Sequence, residues 1–340
     1  MARPKPLAPM EAQLAAELPE EGEWQFEPKW DGFRCIARRD GDRIDLRSRS
    51  GKDLGRYFPE VVGMLAGVAD KRFAADGELI IPIGDALSFE ALQLRLHPAA
   101  SRIARLSKET PAQYMLFDLL EVGGEAYAGK PLSERRAVLE RFYGRQRVPG
   151  LLLSPATTSR TSALAWLKRS GGALDGVIAK RLDQSYRFGE RAMIKVKQQR
   201  TADCVVGGFR YAEGKKEVGS LLLGLYGDDG LLHHVGFTSA IAAKDRPALT
   251  AKLEKLIGGP GFTGDAPGGP SRWATARSAE WQPLKTRLVA EVRYDQVTGR
   301  RFRHGAGFLR WRLDKAPDEC TFDQLKPELR PSELAELFEP

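Results

Sequence analysis

Glu27-Pro28-Lys29-Trp30-Asp31-Gly32-Phe33-Arg34 places a lysine two residues ahead of an Asp-Gly break and an arginine two residues beyond it. Alone, a Lys-x-Asp-Gly match arises by chance in about one protein in ten of this length, and it reads equally well as a surface lysine beside a turn. Just downstream, Gly32 to Arg38 alternates, Asp40-Gly41 follows, and Ile44 to Ser48 alternates again. That pattern predicts a β-hairpin, because Asp-Gly tolerates the positive φ of a tight turn.

Strand-like apolar runs recur at Arg72 to Ile83, Gln113 to Glu121, Asp175 to Arg181 and Ala192 to Gln198. Ser133 to Phe142 and Thr161 to Arg169 have helical spacing, with Ser133 and Thr161 as expected N-caps and Gly171 as a C-cap. Beyond Gln198 the texture changes to short strands around Val205, Leu222 and Val235, one helical stretch from Ile241 to Leu256, then more strands. Short strands interrupted by a single helix suit a small Greek-key barrel of the oligonucleotide-binding (OB) type. A domain boundary is therefore expected near Gln198 to Thr201, dividing residues 1–199 from 200–340. Gly258 to Pro270 holds six Gly and three Pro and reads as a mobile loop.

Composition narrows the class. A chain of 340 residues suits about two domains at roughly 150 residues each. Hydrophobic residues make up 42% and charged residues 29%, and no run approaches a membrane span. Pro9, Glu11 and Glu17 interrupt any apolar core in the first 18 residues, so no secretory signal is read there and a cytoplasmic protein is expected. Cys35, Cys204 and Cys320 are too dispersed for a zinc cluster or disulfide framework. The net charge is +8, and between Lys285 and Lys315 nine Lys or Arg stand against three Asp or Glu, interleaved with Tyr294, Phe302, Phe308 and Trp311. That stretch is either a polyanion-binding surface or a strand pair with solvated charged faces.

Elimination leaves lysine and carboxylate chemistry. The four histidines lack metal-ligand spacing, and no Walker loop, Gly-x-Ser-x-Gly elbow or dinucleotide fingerprint occurs in a suitable context. After the lysine segment come, in order, Ser48-Arg49-Ser50-Gly51, Asp76-Gly77-Glu78-Leu79, Phe117-Asp118, Asp175-Gly176-Val177-Ile178-Ala179-Lys180, Lys195-Val196-Lys197 and Arg312-Leu313-Asp314-Lys315. This ordered set resembles the covalent nucleotidyltransferase superfamily of ATP-dependent DNA ligases and mRNA capping enzymes. The wording of the lysine segment and of Arg301-Phe302-Arg303-His304 to Arg312 is similar to bacterial ligases of the ligase C and ligase D type.

The resemblance implies an α+β fold, in which a nucleotidyltransferase domain of antiparallel sheets with flanking helices precedes an OB-fold barrel. It implies that Lys29 becomes a lysyl-AMP phosphoramidate, that Arg34 and Arg49 lie near the ribose and phosphates, and that Glu78 holds the ribose or a metal. Phe117 would stack on adenine, Lys195 and Lys197 would grip the α-phosphate, and Glu27 would sit at the adenine edge. By residue type alone, Phe117 is as well read as a core aromatic and Glu78 as an edge-strand carboxylate. Most of the superfamily has Glu-Gly where this chain has Asp175-Gly176, a metal-binding carboxylate one methylene shorter. Arg312, Asp314 and Lys315 would orient the departing pyrophosphate, with a hinge at Gln198 to Thr201.

Nucleophilic attack needs a neutral amine, and a free lysine has a pKa of about 10.4, so neutralising it near pH 7.5 costs about 4 kcal/mol. Lys195, Lys197, Arg34 and a bound Mg²⁺ or Mn²⁺ are expected to ease that cost by favouring the neutral form. The overall expectation is an ATP-dependent DNA ligase that seals 3′-hydroxyl/5′-phosphate nicks in DNA repair. Its partners would be nicked duplex DNA, gripped by Arg300, Arg301 and Arg303, and repair polymerases. It would act as a monomer in the cytoplasm, at the bacterial nucleoid. The alternatives are an RNA ligase or capping-type guanylyltransferase, and a noncatalytic DNA-binding protein.

Overall fold

The structure is a computed structural model that describes residues 7–84, 86–168, 174–198, 200–268, 280–295 and 297–325. The chain forms two compact units divided after Gln198.

The first unit is built on two sheets. One is ordered Glu11–Ala15, Arg191–Val196, Leu174–Arg181, Trp24–Trp30; only its first pair is parallel. The other runs Leu151–Leu153, Gln113–Val122, Arg72–Ile80, Phe33–Asp40, Arg43–Ser48, and is antiparallel apart from the short first strand. The expected hairpin is present: Asp40 pairs with Arg43 across a two-residue loop whose first residue, Gly41, has φ +63°. Side chains alternate across a strand, and the residues on one face of this larger sheet, among them Leu46, Phe73, Leu79 and Tyr114, form the main core. Helices Pro59–Ala66 and Leu132–Arg145 cover it with Val61, Leu65, Leu139 and Phe142. Helix Arg160–Lys168 covers the smaller sheet with Trp166, against Phe26, Val177 and Val196. Small clusters join the two sheets: Ala74 and Leu120 meet Met193, while Ile80 and Met115 meet Trp30 and Leu174.

Two expected caps are corrected. The helix at Leu132–Arg145 starts after Pro131 with no side-chain cap, so Ser133 lies inside it. The helix at Arg160–Lys168 is capped by the Ser159 hydroxyl, which accepts from the Ser162 amide at 3.2 Å, rather than by Thr161. Gly171 lies outside the described residues.

The second unit is a sheet ordered Leu232–Thr238, Val218–Tyr226, Arg200–Tyr211, Val289–Tyr294, Gly307–Trp311, antiparallel throughout. Among the described residues a single α-helix, Arg246–Glu254, stands between its third and fourth strands in chain order, as in an OB fold. The mobile loop expected from Gly258 onward is also corrected, over its described residues. Phe262 is buried against Gly207 and Gly224, the Thr263 hydroxyl accepts from Leu232 N at 2.8 Å, and the Asp265 carbonyl accepts from His234 N at 2.8 Å. One apolar ring among the glycines therefore fastens the segment.

Candidate active site

The motif strands converge on a cleft of about 1130 Å³ in the first unit, whose walls include Glu27, Lys29, Arg34, Arg49, Glu78, Phe117 and Lys195. Asp175 reaches Lys29 through a break in register. Trp30 pairs with Leu174 and Pro28 with Val177, so Asp175 and Gly176 together oppose the single residue Lys29. Such a bulge bends the strand and re-aims its side chains. Gly176 has φ +130°, and a Cβ there would lie 2.1 Å from the Val196 carbonyl oxygen; only glycine permits that approach. The bulge lies between the two lysine strands, and Asp175 Oδ2 sits 2.5 Å from Lys29 Nζ and 3.0 Å from Lys197 Nζ.

This arrangement corrects one part of the electrostatic expectation. Cations do cluster: burial first, then Lys29 and Lys197, push the Lys195 ammonium below its ordinary pKa. The charge touching the Lys29 amine, however, is the Asp175 carboxylate. Burial alone would raise the Asp175 carboxyl, but the Lys29 and Lys197 ammonium groups outweigh it and hold the carboxyl below its ordinary range.

Arg34 is committed elsewhere. Its Nε and Nη2 each donate to Asp76 at 2.7 Å, and its guanidinium lies 4.5 Å from the Phe117 ring centroid. Arg34 is paired in register with Glu78, which puts Asp76 at the diagonal position on the same face. The Tyr186 hydroxyl donates to the fully buried Asp76 and accepts from the Met10 amide at 2.9 Å. Met10 and the strand after it form part of the cleft wall. Burial raises the Glu78 carboxyl from 4.5 to about 7, against the opposing pull of Arg34 and Lys29.

Phe117 lines the cleft with 7% of its surface exposed, and Lys180 Nζ lies 4.7 Å from its ring centroid. Its neighbour Asp118, on the opposite face of the strand, anchors helix Leu132–Arg145 through a bidentate pair with buried Arg135 at 2.8 and 2.9 Å. Glu27 is buried; its carboxylate meets Lys180 Nζ at 2.8 Å and accepts from Gln25 Nε2 at 2.7 Å. Lys180 thus borders the cleft with an assigned partner on each side. In the sequence Lys180 only closes the Asp175-to-Lys180 motif, and its place at the cleft is not legible there because its partners, Glu27 and Phe117, come from two other strands. Arg49 lies at the exposed mouth of the cleft.

In the second unit, Arg312 Nη1 and Lys315 Nζ both meet Asp203 Oδ2, at 2.8 and 3.0 Å, and Arg312 also pairs with Asp314. In the Val297–Thr298/Arg301–Phe302 hairpin, Phe302 turns inward to stack on Tyr294, while Arg300 lies over Phe322 and Arg301 donates to the Ala266 carbonyl. Arg303 is half-buried. Part of the basic stretch is neutralised within the unit, since Arg310 pairs with Glu291 at 2.6 Å. Cys35, Cys204 and Cys320 are free and buried. Among the described residues no three or more His, Cys, Asp or Glu side chains gather as a metal cluster, and no helix is long and apolar enough to cross a membrane.

A lysine in a cleft beside mainly antiparallel sheets, followed along the chain by an OB-type unit, is the architecture of the nucleotidyltransferase class. Residues 7–197 match the ATP dependent DNA ligase domain, and residues 214–315 the ATP dependent DNA ligase C terminal region. The chain is 46% identical over 333 residues to DNA ligase C1 of Mycolicibacterium smegmatis, with 94% of each covered. It is 30% identical over 302 residues to the multifunctional non-homologous end joining DNA repair protein LigD of Mycobacterium tuberculosis, covering 87% of this chain and 37% of that one. A solved structure described as DNA binding with a minimal scaffold, from a structure–function analysis of Lig E DNA ligases, shares the fold at TM-score 0.55 and 21% identity, covering 89% of this chain and 99% of that one. The chain belongs to the ATP-dependent DNA ligase family.

Proposed function

We propose that the protein seals 3′-hydroxyl/5′-phosphate nicks in duplex DNA through a Lys29–AMP intermediate, in the service of DNA repair. The observation that carries this is the ion-paired cluster behind Lys29, a cleft-wall residue whose amine the Asp175 carboxylate holds beside a second lysine, Lys197.

In the first step the unprotonated Lys29 amine attacks the α-phosphorus of ATP. The bond to the bridging oxygen breaks, pyrophosphate leaves with that electron pair, and the amine nitrogen gives up a proton. A DNA 5′-phosphate oxygen then attacks the same phosphorus, the P–N bond breaks, and Lys29 departs as the amine by taking up a proton in place of the one lost in the first step. The 3′-hydroxyl finally attacks the activated 5′-phosphate, losing its proton and releasing AMP. Lys195 and Lys197 supply positive charge where the α-phosphate gains negative charge. Arg34, held by Asp76, and Arg49 border the sugar-phosphate region, Phe117 offers its ring to the base, and Glu27 with Lys180 meets the base edge. Arg312, Asp314 and Lys315 act on the departing pyrophosphate.

Glu78 and Asp175 are hard oxygen donors, and Mg²⁺ usually needs only one or two carboxylates beside substrate phosphates, so the residues fit a divalent ion. Mg²⁺ or Mn²⁺ held there would supply charge neutralisation at the phosphates.

Incubation with labelled ATP, a divalent metal and the intact chain, followed by denaturing electrophoresis and peptide mapping, tests the assignment. Label on the Lys29 peptide is expected; label elsewhere overturns it. A GTP arm separates this reading from a capping-type guanylyltransferase, and nicked DNA against nicked RNA separates it from an RNA ligase. In this reading the chain works as a monomer in the bacterial cytoplasm, at the nucleoid, on nicks left by repair polymerases. Kinship with an end-joining repair protein supports the repair setting.

A further inference from the structure

We propose that Asp203 is a positioning residue for adenylylation, holding Arg312 and Lys315 as one cationic pair for the departing pyrophosphate; this rests on the role assigned to that pair above. Asp203 lies on Arg200–Tyr211, the first strand of the second unit, more than a hundred residues before either cation. A single oxygen, Oδ2, meets Arg312 Nη1 at 2.8 Å and Lys315 Nζ at 3.0 Å. Two nitrogens bound to one atom at those distances stay within about 6 Å of each other, close enough to engage one diphosphate together.

The carboxylate is itself held in place. Gln324 accepts from Asp203 N at 2.9 Å and donates to Asp203 O at 3.2 Å, fixing the backbone on both sides. The Asp203 side chain is 11% exposed, and Oδ1 is buried with no hydrogen-bond partner among the described residues. Its orientation is therefore set by the two cations. Asp314, the other partner of Arg312, is 64% exposed. An exposed ion pair exchanges at little cost, whereas parting a cation from a largely buried carboxylate such as Asp203 costs more. Arg312 can thus release Asp314 to take up a phosphate oxygen while Asp203 keeps both cations together. In the step itself the bond from the α-phosphorus to the bridging oxygen breaks, and its electron pair stays on the pyrophosphate. The charge that builds there is met by the Arg312–Lys315 pair, and Asp203 makes no bond to it.

The test uses the full chain in three variants, Asp203→Asn, Asp203→Glu and Arg312→Ala. Each is assayed for single-turnover adenylylation over a range of ATP concentrations and for sealing of a nick that already carries AMP. Leaving-group stabilisation acts in the transition state, so a loss at saturating ATP with little change in half-saturation is its signature. Asp203→Asn is expected to slow adenylylation at saturating ATP by about tenfold or more, one unit of 1.36 kcal/mol, and to seal pre-adenylylated DNA within twofold of wild type. Retained sealing also reports a folded protein. Asp203→Glu keeps the charge and should recover part of the rate; it carries the test alone if the amide variant does not fold. If Arg312→Ala loses adenylylation selectively while both Asp203 variants match wild type, the positioning role falls and the reading of Arg312 and Lys315 stands. If Arg312→Ala loses both activities equally, that reading falls and the proposal with it. Equal loss of both activities in the Asp203 variants makes Asp203 a fold residue and overturns the proposal.

Discussion

Asp175 Oδ2 lies 2.5 Å from Lys29 Nζ, so the amine proposed to attack ATP is stored as half of an ion pair. Lys29→Ala should reduce labelled AMP capture to background, and Lys29→Arg should do the same, since a guanidinium stays protonated and cannot attack. The two should differ in stability. Arginine can still face Asp175, whereas alanine leaves that buried carboxylate to Lys197 alone, which predicts a lower melting temperature for Lys29→Ala than for Lys29→Arg. Wild-type adduct in either variant would remove Lys29 from its role.

The bulge that aims Asp175 depends on Gly176. Alanine there would put a methyl 2.1 Å from a backbone carbonyl at φ +130°. Strain and overpacking of that kind cost about 1–3 kcal/mol each, so Gly176→Ala should lower unfolding stability by about 3 kcal/mol or more and suppress adduct formation. Denaturant unfolding beside the labelling assay checks both; an unchanged midpoint would show that the strand accommodates the side chain.

Tyr186 ties the Met10 wall of the cleft to Asp76, and through it to Arg34. Tyr186→Phe removes one hydroxyl, which takes the acceptor from the Met10 amide and leaves Asp76 Oδ2 with Arg34 as its remaining partner. A loss of about 1–3 kcal/mol is expected, with a raised ATP concentration for half-maximal adenylylation. Wild-type ATP dependence would confine Tyr186 to a packing role.

Glu78 offers a pH signature. Burial raises its carboxyl from 4.5 to about 7 in the folded chain, so folding favours the neutral acid. Its contribution to stability is complete below about pH 4.5 and is lost as the pH rises through 7. Wild type should therefore lose stability relative to Glu78→Gln between those limits. Parallel stability curves across that window would contradict the assignment.

Arg300, Arg301 and Arg303 should grip the duplex backbone without reading bases. If each meets one phosphate, together they contribute about −3 to the slope of log affinity against log salt, and Arg301→Ala flattens it by about one. Nicked-duplex binding over a salt series, on two unrelated sequences, is the measurement. Strong preference for one sequence would reject a backbone clamp.

What could be read in the sequence was local. Lys29 with its Asp-Gly break and the hairpin beyond it are written in neighbouring residues, as are the apolar runs that form strands Arg72–Ile80 and Gln113–Val122. Helix Pro59–Ala66 escaped because it follows Phe58 with no side-chain cap, and Ala100–Glu109 because Ile103 is its one buried residue. The edge strand Glu11–Ala15 is half exposed and mixed in polarity, so it carries little strand signal. Lys180, Tyr186 and Asp203 take their meaning from partners on distant segments. Arg38 to Arg43 spells a turn; nothing adjacent to Asp203 spells Arg312.

The parallel pairing of Glu11–Ala15 with Arg191–Val196 joins segments about 180 residues apart in the chain, and such contacts are costly to close and slow to form. As the protein emerges from the ribosome, the strand bearing Lys29 and the strand ahead of it must wait until nearly the whole unit has been made. Until then the smaller sheet lacks its two central strands. Translation that stops short of Val196 therefore leaves a polypeptide with the reactive lysine but without the sheet that holds it, and with exposed strand edges open to aggregation and proteolysis.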